Sequence, residues 1–486
     1  MNVHARVRFI LAVVALVLCV LIGGGLSLQL GQSTRLPDQI TDQEFWRIVT
    51  DFSEPQGLYT GDNWISNEAS IQDVIPPLKQ LTKPGGIYLG VGPEQNFTYM
   101  WALQSKMGFI IDIRRQNMLA ILLHKALFEM SPDRADFVVN LFSRRRPAGL
   151  DTNTSAKALM AAFSSAPSES PGKNIEAVKG VLAKHGYTLS GADVARISLI
   201  QETFNRGGPS ITAEYNSPGS PGGIPVTFTD LMTATDKSGQ PWSFLSSETA
   251  YRYIRELHRK NLIIPVVGDF AGSTAIRRVG EYLKQRDSNV TVFYLSNVEY
   301  YLNGPTMRAF QSNLSTLPID STSMLIRWSP RPTIPSVPWY TLDMGPVVSM
   351  LSPISELVDL YKAGKAPTNF SEVLRGTVDP AILANFRQDP SLRKVTGRVT
   401  GIAGLKPTEL LRISLVENLR PAGLILSADV ATDGSFEVRN VSSRTYEAIV
   451  LRTCRSCSAS RVASTAVNVV VADRDITNVR LQFIAQ

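Results

Sequence analysis

The chain has 486 residues, 44% hydrophobic and 19% charged, with a formal net charge of +7. That length and apolar content fit two or three globular domains with a sizeable core, and speak against a chain that cannot fold. The charge is mild for the size and forms no Lys/Arg stripe interleaved with aromatics, so nucleic acid is not an expected partner.

Residues 1–27 read as a leader. His4, Arg6 and Arg8 precede an unbroken apolar run from Phe9 to Ile22, and Gly23-Gly24-Gly25 ends it. The pattern predicts a signal peptide. Counted on through Leu28 it reaches the length of a signal anchor, so the N-terminal segment is a membrane tether if it is not cleaved. Cys19 follows Leu18 where lipidation wants a small residue. The body is expected outside the cytoplasm, in the periplasm or on the outer face of the inner membrane.

Residues 28–390 read as an α/β domain. A helix is expected near Asp42–Asp51 and another running to Gln80. The stretch Gly86–Asn117 then runs strand, glycine turn, helix, strand, acid: Ile87-Tyr88-Leu89, Gly90-Val91-Gly92, Phe97–Lys106, Phe109-Ile110-Ile111, Asp112. Glycines let backbone approach a ligand, and an acid ending the second strand can accept from ribose hydroxyls. Asp112 lies twenty residues after Gly92, a spacing suited to that task. The loop lacks a third glycine and carries Glu94, a carboxylate that would repel a dinucleotide's phosphates but not a sulfonium. The plain alternative is an ordinary strand-to-helix turn.

Helical spacing continues over Arg114–Met130 and Asp133–Phe142. Arg144-Arg145-Arg146 follows, where cations complement a helix C-terminus. Residues 151–240 read as an insertion rich in Ser, Ala, Gly and Pro with one short helix near Ile175–His185. Long stretches of that kind are often lids or binding loops. Alternation resumes with helix 248–260, strand Leu262–Val267, helix 274–286, strand Val290–Leu295, helix 299–313 and strand Met324–Trp328. Near-continuous apolar strands between helices indicate a buried parallel sheet, whose ligands bind beyond the strand C-terminal ends. Asp269, Asn297 and Glu299 fall there, as do Gly90 and Asp112; turn or cap roles are the alternative for Asp269 and Asn297. Asn67 and Glu68 are further candidates for the mouth of the pocket, and Asp62 is expected to be a cap.

From Val395 the chain shows seven short alternating runs and an Asp433-Gly434 hairpin signal. Residues 394–486 are expected to form an all-β sandwich. Cys454 and Cys457 are the one close cysteine pair, and a local disulfide is the plainer reading in an exported protein. The four histidines are isolated, so no metal site is expected. No phosphate-binding P-loop and no G-x-S-x-G elbow occurs.

The Gly86–Asn117 stretch resembles motif I and the following acidic position of the S-adenosylmethionine-dependent methyltransferase fold. More closely, the chain resembles a bacterial family of unknown activity built on a methyltransferase-like core. That resemblance rests on Phe52-Ser53-Glu54-Pro55, Ser66-Asn67-Glu68, Tyr88–Glu94 and Asp112-Ile113-Arg114-Arg115-Gln116-Asn117. It continues in Lys125–Glu129, Val267–Phe270 and Tyr294–Glu299. It implies a Rossmann-like sheet. A cofactor such as S-adenosylmethionine would lie at Gly90, Gly92, Glu94, Asn96, Asp112 and Arg114, with Asn67, Glu68, Asp269, Asn297 and Glu299 facing a substrate. Val395-Thr396-Gly397-Arg398-Val399, Asp433–Val438 and Tyr446-Glu447-Ala448 resemble the carboxypeptidase regulatory-like domain, which implies a structural or adhesive role. An exported location sits awkwardly with that cofactor. The expectation is therefore a repurposed domain binding a small ligand or an envelope protein. An active methyltransferase, or an envelope interaction protein working through its β-sandwich, is the alternative.

Overall fold

The structure, a computed structural model, describes residues 35–484 apart from 214–225, 331–346, 374–392, 403–408, 418–424, 442–444, 455–460 and the positions 60, 62, 69, 70, 237, 371, 463 and 465. The leader with Cys19, and the Asp62 cap, fall outside the described residues. Among the described residues no helix is long and apolar enough to cross a membrane.

The α/β part is organised on one six-stranded sheet. Its strands are β1 (Ile87–Gly90), β2 (Met107–Asp112), β3 (Ile263–Val267), β4 (Val290–Ser296), β5 (Met324–Pro330) and β6 (Val347–Pro353), in the order β3-β2-β1-β4-β5-β6. The first five run parallel and β6 lies antiparallel to β5. Every residue of β1, β2 and β3 is buried, as expected of strands covered on both faces. β1 pairs with β2 on one side and with β4 on the other. The winding of the chain reverses there, which opens a crevice at the strand C-terminal ends. The edge strand β6 is not among the expected strands; Pro353 closes it and a helix, Ile354–Lys362, starts at once.

The insertion differs most from expectation. It is a layer of packed helices: Ala156–Ser164, Gly172–Lys184, Gly191–Gly207 and Phe228–Thr233. Their apolar residues, including Leu159, Phe163, Val178, Leu182, Ile200 and Phe204, join the same core cluster as the sheet. Gly191–Gly207 opens with a capping box, Ser190 with Asp193, which closes two otherwise unpaired N–H groups. The helix Arg115–Met130 explains the arrangement. It is buried from Asn117 through Phe128 because the sheet covers one face and insertion helices cover another. Arg115 grips Asp193 with two hydrogen bonds of 2.7 and 2.9 Å, and holds that carboxyl well below its ordinary range. Arg146 pairs with Asp133 and Asp136, the N-cap and first turn of helix Arg134–Phe142, so it meets the acidic start of that helix and not its C-terminus. The expected helix 299–313 is two helices, Val298–Tyr301 and Gly304–Leu314, parted where Gly304 takes φ +48°.

The C-terminal part is all β. One sheet joins β7 (Arg393–Thr400), β10 (Ser435–Val441) and β14 (Ile476–Gln482). The other joins β8 (Glu409–Glu417), β9 (Ile425–Asp429), β11 (Thr445–Cys454), β12 (Arg461–Val462) and β13 (Val467–Val470). Inward residues of both, among them Val395, Ile413, Leu415, Phe436 and Tyr446, form one hydrophobic cluster separate from that of the α/β part. Cys457 lies outside the described residues, and so does the pairing expected for it with Cys454.

Candidate functional site

A cavity of about 320 Å³ opens at the crevice between β1 and β4. Three strand-end loops build it. Val91, Gly92, Pro93 and Gln95 come from the β1 loop, Asp112 to Arg114 from β2, and Gly268 to Ala271 from β3. The end of β4 adds Tyr294, Ser296, Asn297 and Val298, and the 58–67 segment adds Tyr59, Ser66 and Asn67. Tyr59 and Tyr301 meet edge to face at 6.2 Å, and both are partly exposed.

The glycine turn is held from behind. Asn96 Nδ2 donates to the carbonyls of Val91, Gly92 and Pro93, and Asn117 Nδ2 donates to that of Gly92. Tyr88 Oη donates to Asn96 Oδ1 at 2.8 Å. Gly92 needs its φ of +78°, which a side chain would strain. Gly90 serves a different purpose. A Cβ there would fall 2.0 Å from Asn96 Oδ1, so Gly90 makes room for that anchor. Gly92 lines the cavity, whereas Gly90 and Asn96 do not.

Asp112 sits at the cavity wall with its hydrogen-bonding capacity in use. Oδ1 accepts from the backbone N–H and Nε of Arg114, both at 2.9 Å. Oδ2 accepts from Arg114 Nη2 at 2.8 Å and from the Gly92 N–H at 3.2 Å. Arg114 also donates to the Gly61 carbonyl and stacks over Tyr59 at 5.2 Å. The acid and the glycine loop are therefore joined directly, a contact that the twenty-residue spacing did not itself call for. The grip of Arg114 is what sequence reasoning did not foresee.

Asp269 is the other carboxylate on the wall. Oδ1 accepts from the Ala271 N–H at 2.9 Å, and among the described residues Oδ2 has no hydrogen-bond partner. Behind it Glu54 reaches across from the start of the domain. Its Oε1 accepts from the N–H groups of Thr274 and Ala275, and its Oε2 from that of Asp269. Gly272 permits this, since a Cβ there would lie 2.1 Å from Glu54 Oε2. The N-terminus of helix Ala275–Lys284, where a phosphate could otherwise sit, is thus filled by a carboxylate of the chain itself. Asp112 and Arg114 cancel, which leaves the wall with the single net negative charge of Asp269.

The remaining candidates divide. Asn67 and Asn297 line the cavity. Glu68 lies just behind it, fully buried, with Oε1 accepting from Tyr294 Oη at 2.7 Å and Ser296 Oγ at 2.5 Å. Glu94 is a correction to the expected cofactor contact. It is buried beneath the loop, where Oε1 accepts from the Ser66 N–H and Oε2 has no partner. Burial pushes its carboxyl up to about 8, so it is largely neutral at pH 7 and is not the repelling charge expected. Glu299 is the second correction. Both of its oxygens are held by Arg327 at 2.7 and 2.8 Å, both side chains are buried, and it does not face the cavity. The pattern gave no sign of either, because a strand-end acid reads alike whether an arginine or a ligand meets it. Tyr294, Ser296, Tyr59 and Tyr301 were missed, although the first two end an expected strand.

A family model described as Domain of unknown function (DUF7790) matches residues 63–351, more than half of the chain. The chain belongs to the DUF7790 family. The matched span holds the whole six-stranded sheet except the last two residues of β6, and every wall residue of the cavity except Leu58 and Tyr59. No curated protein matches the chain.

Proposed function

We propose that the α/β domain is a methyltransferase-like, Rossmann-like binding domain that takes a phosphate-free nucleoside ligand, with S-adenosylmethionine as the first candidate. The observation that carries this reading is the cavity at the β1–β4 crevice, walled by Gly92 and Asp112 together. The net negative wall and the Glu54-filled helix terminus favour a neutral or cationic ligand over a nucleotide. The residues fit the nucleoside with one exchange: the ribose hydroxyls take the Asp112 oxygens in place of the Arg114 guanidinium.

That exchange favours a repurposed binding domain over a methyl-transferring enzyme. Together with the leader, it suggests a ligand sensor or carrier of the cell envelope, with the C-terminal β unit serving as a carboxypeptidase regulatory-like adhesive module. When bound, S-adenosylmethionine would bring an electrophilic methyl group; the chain's own residues would orient it and exclude water.

Isothermal titration of the full-length protein with S-adenosylmethionine and S-adenosylhomocysteine tests the reading. Binding that Asp112→Ala weakens at least tenfold is expected. No heat of binding to either compound by a folded protein would retire it.

A further inference from the structure

Ser296 is an unusual residue at an informative place. It ends β4 with φ +47°, and the β4–β5 register slips between Tyr294 and Ser296. A serine in the left-handed region is strained, and such strain concentrates at ligand sites. The other left-handed residues near helix ends, such as Ser143 capping Arg134–Phe142, serve turns. Ser296 instead lines the cavity and donates its hydroxyl proton to Glu68.

That donation fixes what Ser296 can do. A hydroxyl has one proton, so with it directed at Glu68 the Oγ lone pairs that face the cavity can only accept. Tyr294 Oη, donating to the same Glu68 oxygen, is in the same position. Gln95, also on the wall, turns its Nε2 to the Val91 carbonyl and leaves Oε1 without a partner. Behind these groups Glu68 has a second buried oxygen, Oε2, with no partner, and among the described residues no Lys, Arg or His forms an ion pair with it. Burial raises its carboxyl from the ordinary value, opposed by the Ser296 and Tyr294 hydrogen bonds. A cation nearby would relieve that penalty.

We propose that the Ser296 end of the cavity binds the ammonium group of an amine, with Ser296 Oγ accepting its hydrogen bond and buried Glu68 supplying the compensating charge. The ligand class is an amine with an apolar body, because Ile65, Val91, Phe270 and Leu302 line the same space. This deepens the binding reading above and rests on the cavity being a ligand site.

Three small probes test it on the full-length protein at fixed ionic strength: phenethylamine, phenethyl alcohol and 3-phenylpropionate. The amine is expected to bind about tenfold or more tightly than the alcohol, and the carboxylate not at all. Glu68→Gln, which keeps an acceptor oxygen and removes the charge, should bring amine and alcohol to within about threefold, and Ser296→Ala should do the same. Asp269→Asn removes the wall's net charge and should narrow the preference without abolishing it. A preference that vanishes with Asp269→Asn and survives Glu68→Gln would overturn the proposal, as would equal binding of amine and alcohol by the unaltered protein. S-adenosylhomocysteine titrated in parallel separates the two readings. Its binding without amine preference sinks only this inference, whereas amine preference without its binding sinks only the nucleoside reading. Unchanged melting of the Glu68→Gln variant excludes misfolding as the cause of a loss.

Discussion

Two carboxylate–arginine pairs belong to the same sheet and differ above all in access. Asp112 with Arg114 ends β2, and Glu299 with Arg327 lies beyond β4 and on β5. Both are buried and both are gripped by two guanidinium nitrogens. Asp112 forms a wall of the cavity and also receives two backbone N–H groups, whereas Glu299 is closed in by Arg327, which Ser352 further orients. The chemistry is the same, and access distinguishes them. A pair that a ligand can reach is an exchangeable contact, and a sealed pair is a fixed joint whose loss strands a charge.

The largest effect should come from the sealed pair. Arg327→Met leaves the Glu299 carboxylate unpaired in the core and is expected to cost roughly 3–5 kcal/mol of stability in urea unfolding. Replacing both residues with apolar ones should recover most of that loss; no recovery would mean the pair does more than neutralise itself.

Glu94 extends the comparison to an acid with no arginine at all. Its folded value of about 8 exceeds its unfolded one, so the folded state binds the extra proton. Stability contributed by this group therefore falls as pH rises from about 4.5 to about 8, by up to a few kcal/mol. Glu94→Gln should flatten that part of the stability profile, measured by melting across the range. A variant as pH-sensitive as the parent would show that the carboxyl is ionised when folded.

Arg114→Ala probes the reachable pair. Asp112 keeps its two backbone donors, so the stability cost should be about 1–2 kcal/mol, smaller than for Arg327. Affinity for S-adenosylhomocysteine should rise, because the carboxylate is freed; a fall would make Arg114 a ligand contact instead.

The smallest effect concerns an ion pair of a third kind. His185 hydrogen-bonds Glu129 through Nε2 and lies within ion-pair distance of Asp42 through Nδ1, with Lys125 on the far side of Glu129 and Tyr187 stacked on the ring. The Glu129 hydrogen bond leads in raising the imidazole above its ordinary value. Its contribution is complete below the unfolded value of about 6.5 and is lost as pH rises through the folded value. His185→Gln should therefore destabilise more at pH 5.5 than at pH 9. A larger loss at high pH would contradict an imidazolium held between the two carboxylates.

Much of the sheet was legible because buried parallel strands are continuous apolar runs: Phe109-Ile110-Ile111 and Leu262–Val267 can be little else. The spacing placed Asp112 and Gly92 at one end of the sheet, but their hydrogen bond to each other left no mark in the sequence. The helix Gly191–Gly207 was missed although Ser190 and Asp193 spell a capping box, because its Gly- and Ser-rich flanks outweighed the spacing of Ile197, Ile200 and Phe204. The grip of Arg114 on Asp112 was hidden for another reason. Two residues apart, the pair could as well diverge, and only the turn after β2 brings them together. Glu299 and Arg327, twenty-eight residues apart, leave no local trace.

The helix Arg115–Met130 has no face to give to water along most of its length. A chain cut to remove residues 151–240 would strip one side of it, taking Phe204 from His124, Asp193 from Arg115 and His185 from Glu129. Such a shortened protein should collect in inclusion bodies, and the intact domain should melt in one transition, insertion and sheet together.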